Sequence, residues 1–62
     1  MKRLQVKISN NWEYVFCRSD REVLPVTTKN KKKAITEKFG DGQRILDYFN
    51  RFYSSLNFRL TV

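Results

Sequence analysis

Hydrophobic periodicity changes twice along this chain, and that change restricts the fold more than any other feature. Leu4, Val6 and Ile8 alternate with Gln5, Lys7 and Ser9. A period of two marks a half-buried strand. Trp12-Glu13-Tyr14-Val15-Phe16-Cys17 continues the pattern, with large aromatics set against smaller residues. Ser9-Asn10-Asn11 between the two runs is turn chemistry, because asparagine tolerates the left-handed region. Residues 3–8 and 12–18 are therefore expected to form a β-hairpin. A polar loop, Arg18-Ser19-Asp20-Arg21-Glu22, follows. Val23 to Thr28 reads as a third strand by its β-branched content. Pro25 cannot donate to a ladder, which puts this strand at a sheet edge or at a bulge.

The period then becomes helical. Ile45, Leu46, Tyr48, Phe49, Phe52, Tyr53 and Leu56 fall within an arc of about 160° at the helical step, which predicts an amphipathic helix over 41–56. Asp41 is the expected N-cap, its carboxylate accepting from the free amides of the first turn. Asp47 and Arg51 form an i,i+4 pair worth only about 0.3 kcal/mol. Asn57 is the stop, and Phe58-Arg59-Leu60-Thr61-Val62 alternates again as a closing strand. Residues 29–39 fit two readings. One is a short helix with Ala34, Ile35 and Phe39 on one face. The other is a lysine-rich loop leading into a single helical turn. Lysines in a first turn oppose the helix dipole by about 0.3–1 kcal/mol each.

The order β-β-β-(α)-α-β predicts an α+β fold over a single domain, 1–62. It is a small three- or four-stranded, mostly antiparallel sheet with one amphipathic helix packed on one face. Strand four is expected beside strand one, with strand three outermost. Trp12, Tyr14 and Phe16 are expected to face the helix and meet Phe49, Phe52 and Phe58, and Tyr48 and Tyr53 to be the partly exposed rings at its rims. Val15 and Cys17 then point away from the helix. That second apolar face needs the 31–39 segment, a bound partner or a second copy to cover it, so a homodimer or a partner is expected.

Composition sets the remaining bounds. Hydrophobic residues make up 40% of the chain and aromatics 15%, with two glycines and one proline, so the chain is globular rather than disordered. A domain of 62 residues buries only about 60% of its unfolded surface, which leaves it marginally stable. The single cysteine allows no internal disulfide and suits a reducing compartment. No apolar run is long enough to span a membrane. Met1-Lys2-Arg3 is not followed by a signal-peptide core, so a cytoplasmic protein, read as a complete small open reading frame, is expected.

Catalytic chemistry is sparse. There is no histidine, so a serine or cysteine nucleophile would lack its commonest base. Cys17 reads as a packed thiol, and Glu13, Asp20, Glu22, Glu37, Asp41 and Asp47 are scattered. No His/Cys cluster offers zinc ligation. Gly40-Asp41-Gly42 is a turn and cap, since it lacks the preceding strand, third glycine and Lys-Ser/Thr ending of a phosphate loop. No catalytic residue, metal or cofactor is assigned.

Basic charge is the functional signal. The formal net charge is +7, and Lys29, Lys31, Lys32 and Lys33 lie together. Lys2 and Arg3 flank the first strand, and Arg18 and Arg21 flank the loop after the second. Such a set is the footprint of a partner that releases counterions when its phosphates are neutralised. The expected function is a non-enzymatic protein binding nucleic acid, DNA or RNA, mainly through phosphate contacts of the lysine-rich loop. The β-β-β-α order resembles the arm-site DNA-binding domains of some tyrosine recombinases, which lay a three-stranded sheet in the major groove. With Val15 and Cys17 outward, the open face would be less polar than such a reader needs. The alternative is a protein-interaction module binding an acidic protein: a small adaptor or inhibitor, of the kind phages and mobile elements encode, docking by a sheet face or edge. A large exposed apolar face argues for the protein partner, and a polar open face with a positive stripe for nucleic acid.

Overall fold

A computed structural model describes all 62 residues. The hairpin is built of β1 (Arg3–Ile8) and β2 (Asn11–Cys17). Its loop is only two residues, Ser9 and Asn10, both with positive φ (51° and 68°). Loops of this length with left-handed residues match the twist of the flanking strands. The loop sets the register: Lys7 lies opposite Trp12, Val6 opposite Glu13 and Gln5 opposite Tyr14.

This register reverses the expected orientation of β2. Residues directly opposite one another share a face, so Trp12 and Tyr14 lie on the side of Lys7 and Gln5. Counting Asn11 as turn makes the loop one residue too long, and a shift of one residue sends every side chain to the other face. Val15, expected outside, is fully buried. Phe16, expected against Phe49, is 47% exposed at a bulge between Val15 and Cys17.

The sheet order is β3-β2-β1-β4, with β3 (Val26–Thr28) at one edge and β4 (Asn57–Thr61) beside β1 at the other. All pairings are antiparallel. The α+β class, the outermost third strand and the closing strand beside the first are as the sequence predicts. The third strand is shorter than expected, because Pro25 stands immediately before it and ends the ladder. In β4, Leu60 pairs with Leu4 and Phe58 with Val6, so these four share the covered face. The core there is Leu4, Val6 and Val15 beneath Phe49 and Tyr53 of the helix segment, with Ile35, Leu46 and Phe58 packed against it.

Helix α1 runs Gly42–Phe52 and ends four residues before the expected 56. Tyr53 takes the C-cap, and the amide of Leu56 turns back to the Tyr53 carbonyl at 3.1 Å. Ser54 and Ser55 supply a turn here, as serines do by competing for backbone groups. Asp41 occupies the N-cap position but its side chain does not cap. It accepts from the Lys38 amide at 2.8 Å and closes the preceding turn. Asp47 accepts from Gln43 at 2.9 Å, and the expected pair with Arg51 is not formed, since the one ion pair in the chain is Arg18–Asp20. Tyr53 is buried rather than at a rim: its hydroxyl accepts from the Ser19 amide at 2.8 Å and pins the 18–24 loop to the helix. Phe52 takes the exposed rim beside Tyr48.

Residues 29–39 do not form the short helix. Lys31–Lys33 make one 3-10 turn, capped by the Asn30 side chain, which accepts from the Lys32 amide at 3.0 Å. Ala34 is already extended, and Phe39 is fully exposed with φ 55°. Beyond the Gln5–Tyr14 pair, β1 and β2 part and residues 35–37 fill the gap. The Ile35 amide donates to the Val15 carbonyl at 2.9 Å and the Leu4 amide to the Ile35 carbonyl at 2.8 Å. Thr36 bridges Arg3, and the Glu37 amide donates to the Lys2 carbonyl. This insertion satisfies strand ends that would otherwise be orphaned and tethers the lysine turn to the sheet.

Candidate nucleic-acid interface

The open face is assembled from the residues between the core positions. Across the four strands, Thr28, Tyr14, Gln5 and Arg59 form one row, each opposite the next. Trp12, Lys7 and Asn57 form a second, and Arg3 lies opposite Thr61 in a third. Two aromatic rings therefore stand among three cations on a surface that no helix covers.

Arg59 organises the middle of this face. It reaches across β1, where its Nε donates to Gln5 Oε1 at 2.8 Å, and its guanidinium lies 4.0 Å from the Trp12 ring centroid. That contact is a cation–π stack. It also explains why Gln5 is buried although it points out of the core. On the other flank of Trp12, toward β3, opens a shallow cleft of about 330 Å³ lined by Asn11, Trp12, Glu13, Tyr14, Thr28 and Lys29.

The sequence-selected cations separate into groups. Lys29 lies in the cleft beside Trp12 and Tyr14. Lys31, Lys32 and Lys33 stand exposed on the 3-10 turn that leads from it, free of ion pairs. Arg3 belongs to the open face, and its buried Nε has no hydrogen-bond partner. Lys2 precedes it, exposed, with its carbonyl bound by Glu37. Arg18 lies apart, on the helix side. It pairs with Asp20 at 2.9 Å, donates to the Tyr48 hydroxyl, and stacks 4.7 Å from the Phe52 centroid. Arg21 is exposed in the same distant loop.

Lys7, Arg59, Trp12 and Tyr14 were not among the residues the sequence selects for binding. Their signal is the strand parity: once the loop is two residues long, Arg3, Lys7, Trp12, Tyr14 and Arg59 all fall on one face. Elsewhere on the surface, Phe16, Leu24 and Val26 are exposed near the β3 edge, and Tyr48 and Phe52 stack at 6.2 Å along the helix. No group of three or more His, Cys, Asp or Glu side chains is gathered that could hold a metal ion, and no helix is long and apolar enough to cross a membrane. No protein-family model, curated protein or solved structure matches the chain.

Proposed function

We propose that this protein binds nucleic acid, without catalysing a reaction, across the open face of its sheet and the adjoining lysine turn. One observation carries the reading: the helix-free face is neither apolar nor neutral, but combines Arg3, Lys7 and Arg59 with Trp12 and Tyr14. Lys29 and the exposed Lys31, Lys32 and Lys33 add positive charge on the segment that runs from β3 to the insertion at residues 35–37. With a formal net charge of +7, a polyanion is the partner that gains most from this surface, because each neutralised phosphate releases counterions. Arg18 and Arg21 contribute long-range attraction rather than contacts at this face. A cytoplasmic setting suits the free thiol of Cys17, which a reducing compartment keeps unoxidised.

Salt-dependent binding to generic DNA and RNA tests the reading. Affinity should fall with a slope of about −0.7 to −0.9 per phosphate contacted on a log–log plot. Replacing Lys31, Lys32 and Lys33 together with Gln should flatten that slope by up to about 2 to 3 units and weaken binding to unrelated sequences alike. Stability should change by less than about 0.5 kcal/mol, because these side chains are solvated. No binding at low salt would remove the reading.

A second reading, an acidic protein partner or a second copy of the chain, has its own support in the exposed Phe16, Leu24 and Val26 beside a three-residue edge strand. A short edge of this kind is open to pairing. Light scattering tests the homodimer: a monomer throughout the high micromolar range would exclude it.

A further inference from the structure

We infer that the nucleic acid bound at this face is single-stranded, with unstacked bases lying on Trp12 and Tyr14. The inference rests on the nucleic-acid reading above and specifies its substrate.

Spacing favours unpaired bases. Trp12 and Tyr14 are two residues apart on one strand and share a face, which sets them about 6.6–6.8 Å apart along β2. Bases in a duplex follow one another at about 3.4 Å along a strand. They also present edges to the grooves, while their faces are buried in the stack. Rings at twice the base step receive bases only when those bases have been pulled apart, as they are in an unpaired strand.

The helix-side core does not use these rings, which are half-buried on the open face. The core closes on the opposite face through Leu4, Val6, Val15, Phe49 and Tyr53. Trp12 instead carries a flat cation, the Arg59 guanidinium, at 4.0 Å. One side of the ring is thus taken by Arg59, itself fixed by Gln5, which leaves the other side for a base. A base can enter from the cleft on the β3 flank, where Tyr14 and Lys29 also line the wall. Cations flank the rings on both sides. Lys29 adjoins the rings on one side, and Lys7 and Arg3 lie on β1 on the other. Positive charge that tracks a backbone beside sequence-tolerant ring platforms is how single strands are held.

Trp12 is the only tryptophan, so intrinsic emission reads this ring directly. The full chain is titrated at low salt with oligothymidylate, with oligouridylate, and with a duplex of the same length. Saturable quenching by either single strand is expected, with affinity at least about tenfold above that for the duplex. Trp12→Leu and Tyr14→Leu, both followed by the anisotropy of a labelled oligonucleotide because the first removes the fluorophore, should each weaken single-strand binding by about five- to a hundredfold. Circular dichroism checks that the variants fold, and the emission change of the unaltered chain carries the test if one does not. Duplex binding as tight as single-strand binding, with Trp12 emission unchanged, would overturn this inference and leave the nucleic-acid reading intact. Failure of all three probes to bind would overturn both, in favour of an acidic protein partner.

Discussion

The covered face of the sheet carries Leu4, Val6, Val15, Phe58 and Leu60, whereas the open face, made of the intervening residues of the same strands, carries Arg3, Gln5, Lys7, Trp12, Tyr14 and Arg59. Large aromatic rings bury the most apolar area of any side chain, yet here β2 buries Val15 and turns Trp12 and Tyr14 outward. The covered face is closed by rings that come from the helix segment, Phe49 and Tyr53, which stack at 6.2 Å and also meet Phe58 from β4. On the open face a cation, Arg59, holds Trp12. Aromatic content therefore does not mark the core in this chain. Parity does.

The contrast breaks most visibly on substitution. Phe49→Ala should cost about 3–5 kcal/mol and Leu4→Ala about 2–5 kcal/mol, enough to unfold a domain this small. Trp12→Leu should lose the cation–π contact with Arg59 and part of the burial of a half-buried ring, about 1–2 kcal/mol in all. Chemical denaturation of the three variants measures the difference, and comparable losses at positions 12 and 49 would erase the distinction between the faces. Gly42→Ala should destabilise by about 1–3 kcal/mol. An added Cβ would lie 2.7 Å from Leu60 Cδ1 and press on the Glu37 carboxylate, although alanine is ordinarily the better helix former. A gain in melting temperature would show that the helix sits farther from β4.

Tyr53→Phe probes the covered side. It removes the hydroxyl that accepts from the Ser19 amide at 2.8 Å, and should cost about 1 kcal/mol. Amide exchange at Ser19 should rise with it. The smallest expected effect concerns the loop. Ser9 and Asn10 both hold positive φ, so Ser9→Asn combined with Asn10→Gly should stabilise by about 0.5–1 kcal/mol. A loss in urea unfolding would mean that the loop is longer than two residues.

Much of the architecture was legible in the sequence for local reasons. Alternation at Leu4–Ile8 and Phe58–Val62, the helical period from Ile45 and the ladder-breaking Pro25 each act within a few residues, and they yield the hairpin, the helix, the closing strand and the edge position of β3. Parity was not legible, because Ser9, Asn10 and Asn11 all suit a turn and nothing local says which two occupy it. The insertion of Ile35 between Leu4 and Val15 was hidden for another reason: it joins segments remote in sequence through backbone bonds alone. The same limit applied to the site. Lys29, Lys31, Lys32 and Lys33 announce themselves by adjacency, whereas Lys7 and Arg59 acquire meaning only when the register aligns them with Trp12 and Tyr14. Arg18, conspicuous in the sequence, is drawn to the helix side by Asp20, Tyr48 and Phe52.

The hairpin register decides which residues the open face presents, and nuclear Overhauser contacts measure it directly. Cross-strand backbone contacts between Gln5 and Tyr14 and between Lys7 and Trp12 are expected, together with contacts from the Trp12 indole to the Arg59 side chain. Pairing of Lys7 with Glu13, or contacts from the Trp12 or Phe16 rings to Phe49, would contradict the account and return the aromatics of β2 to the core.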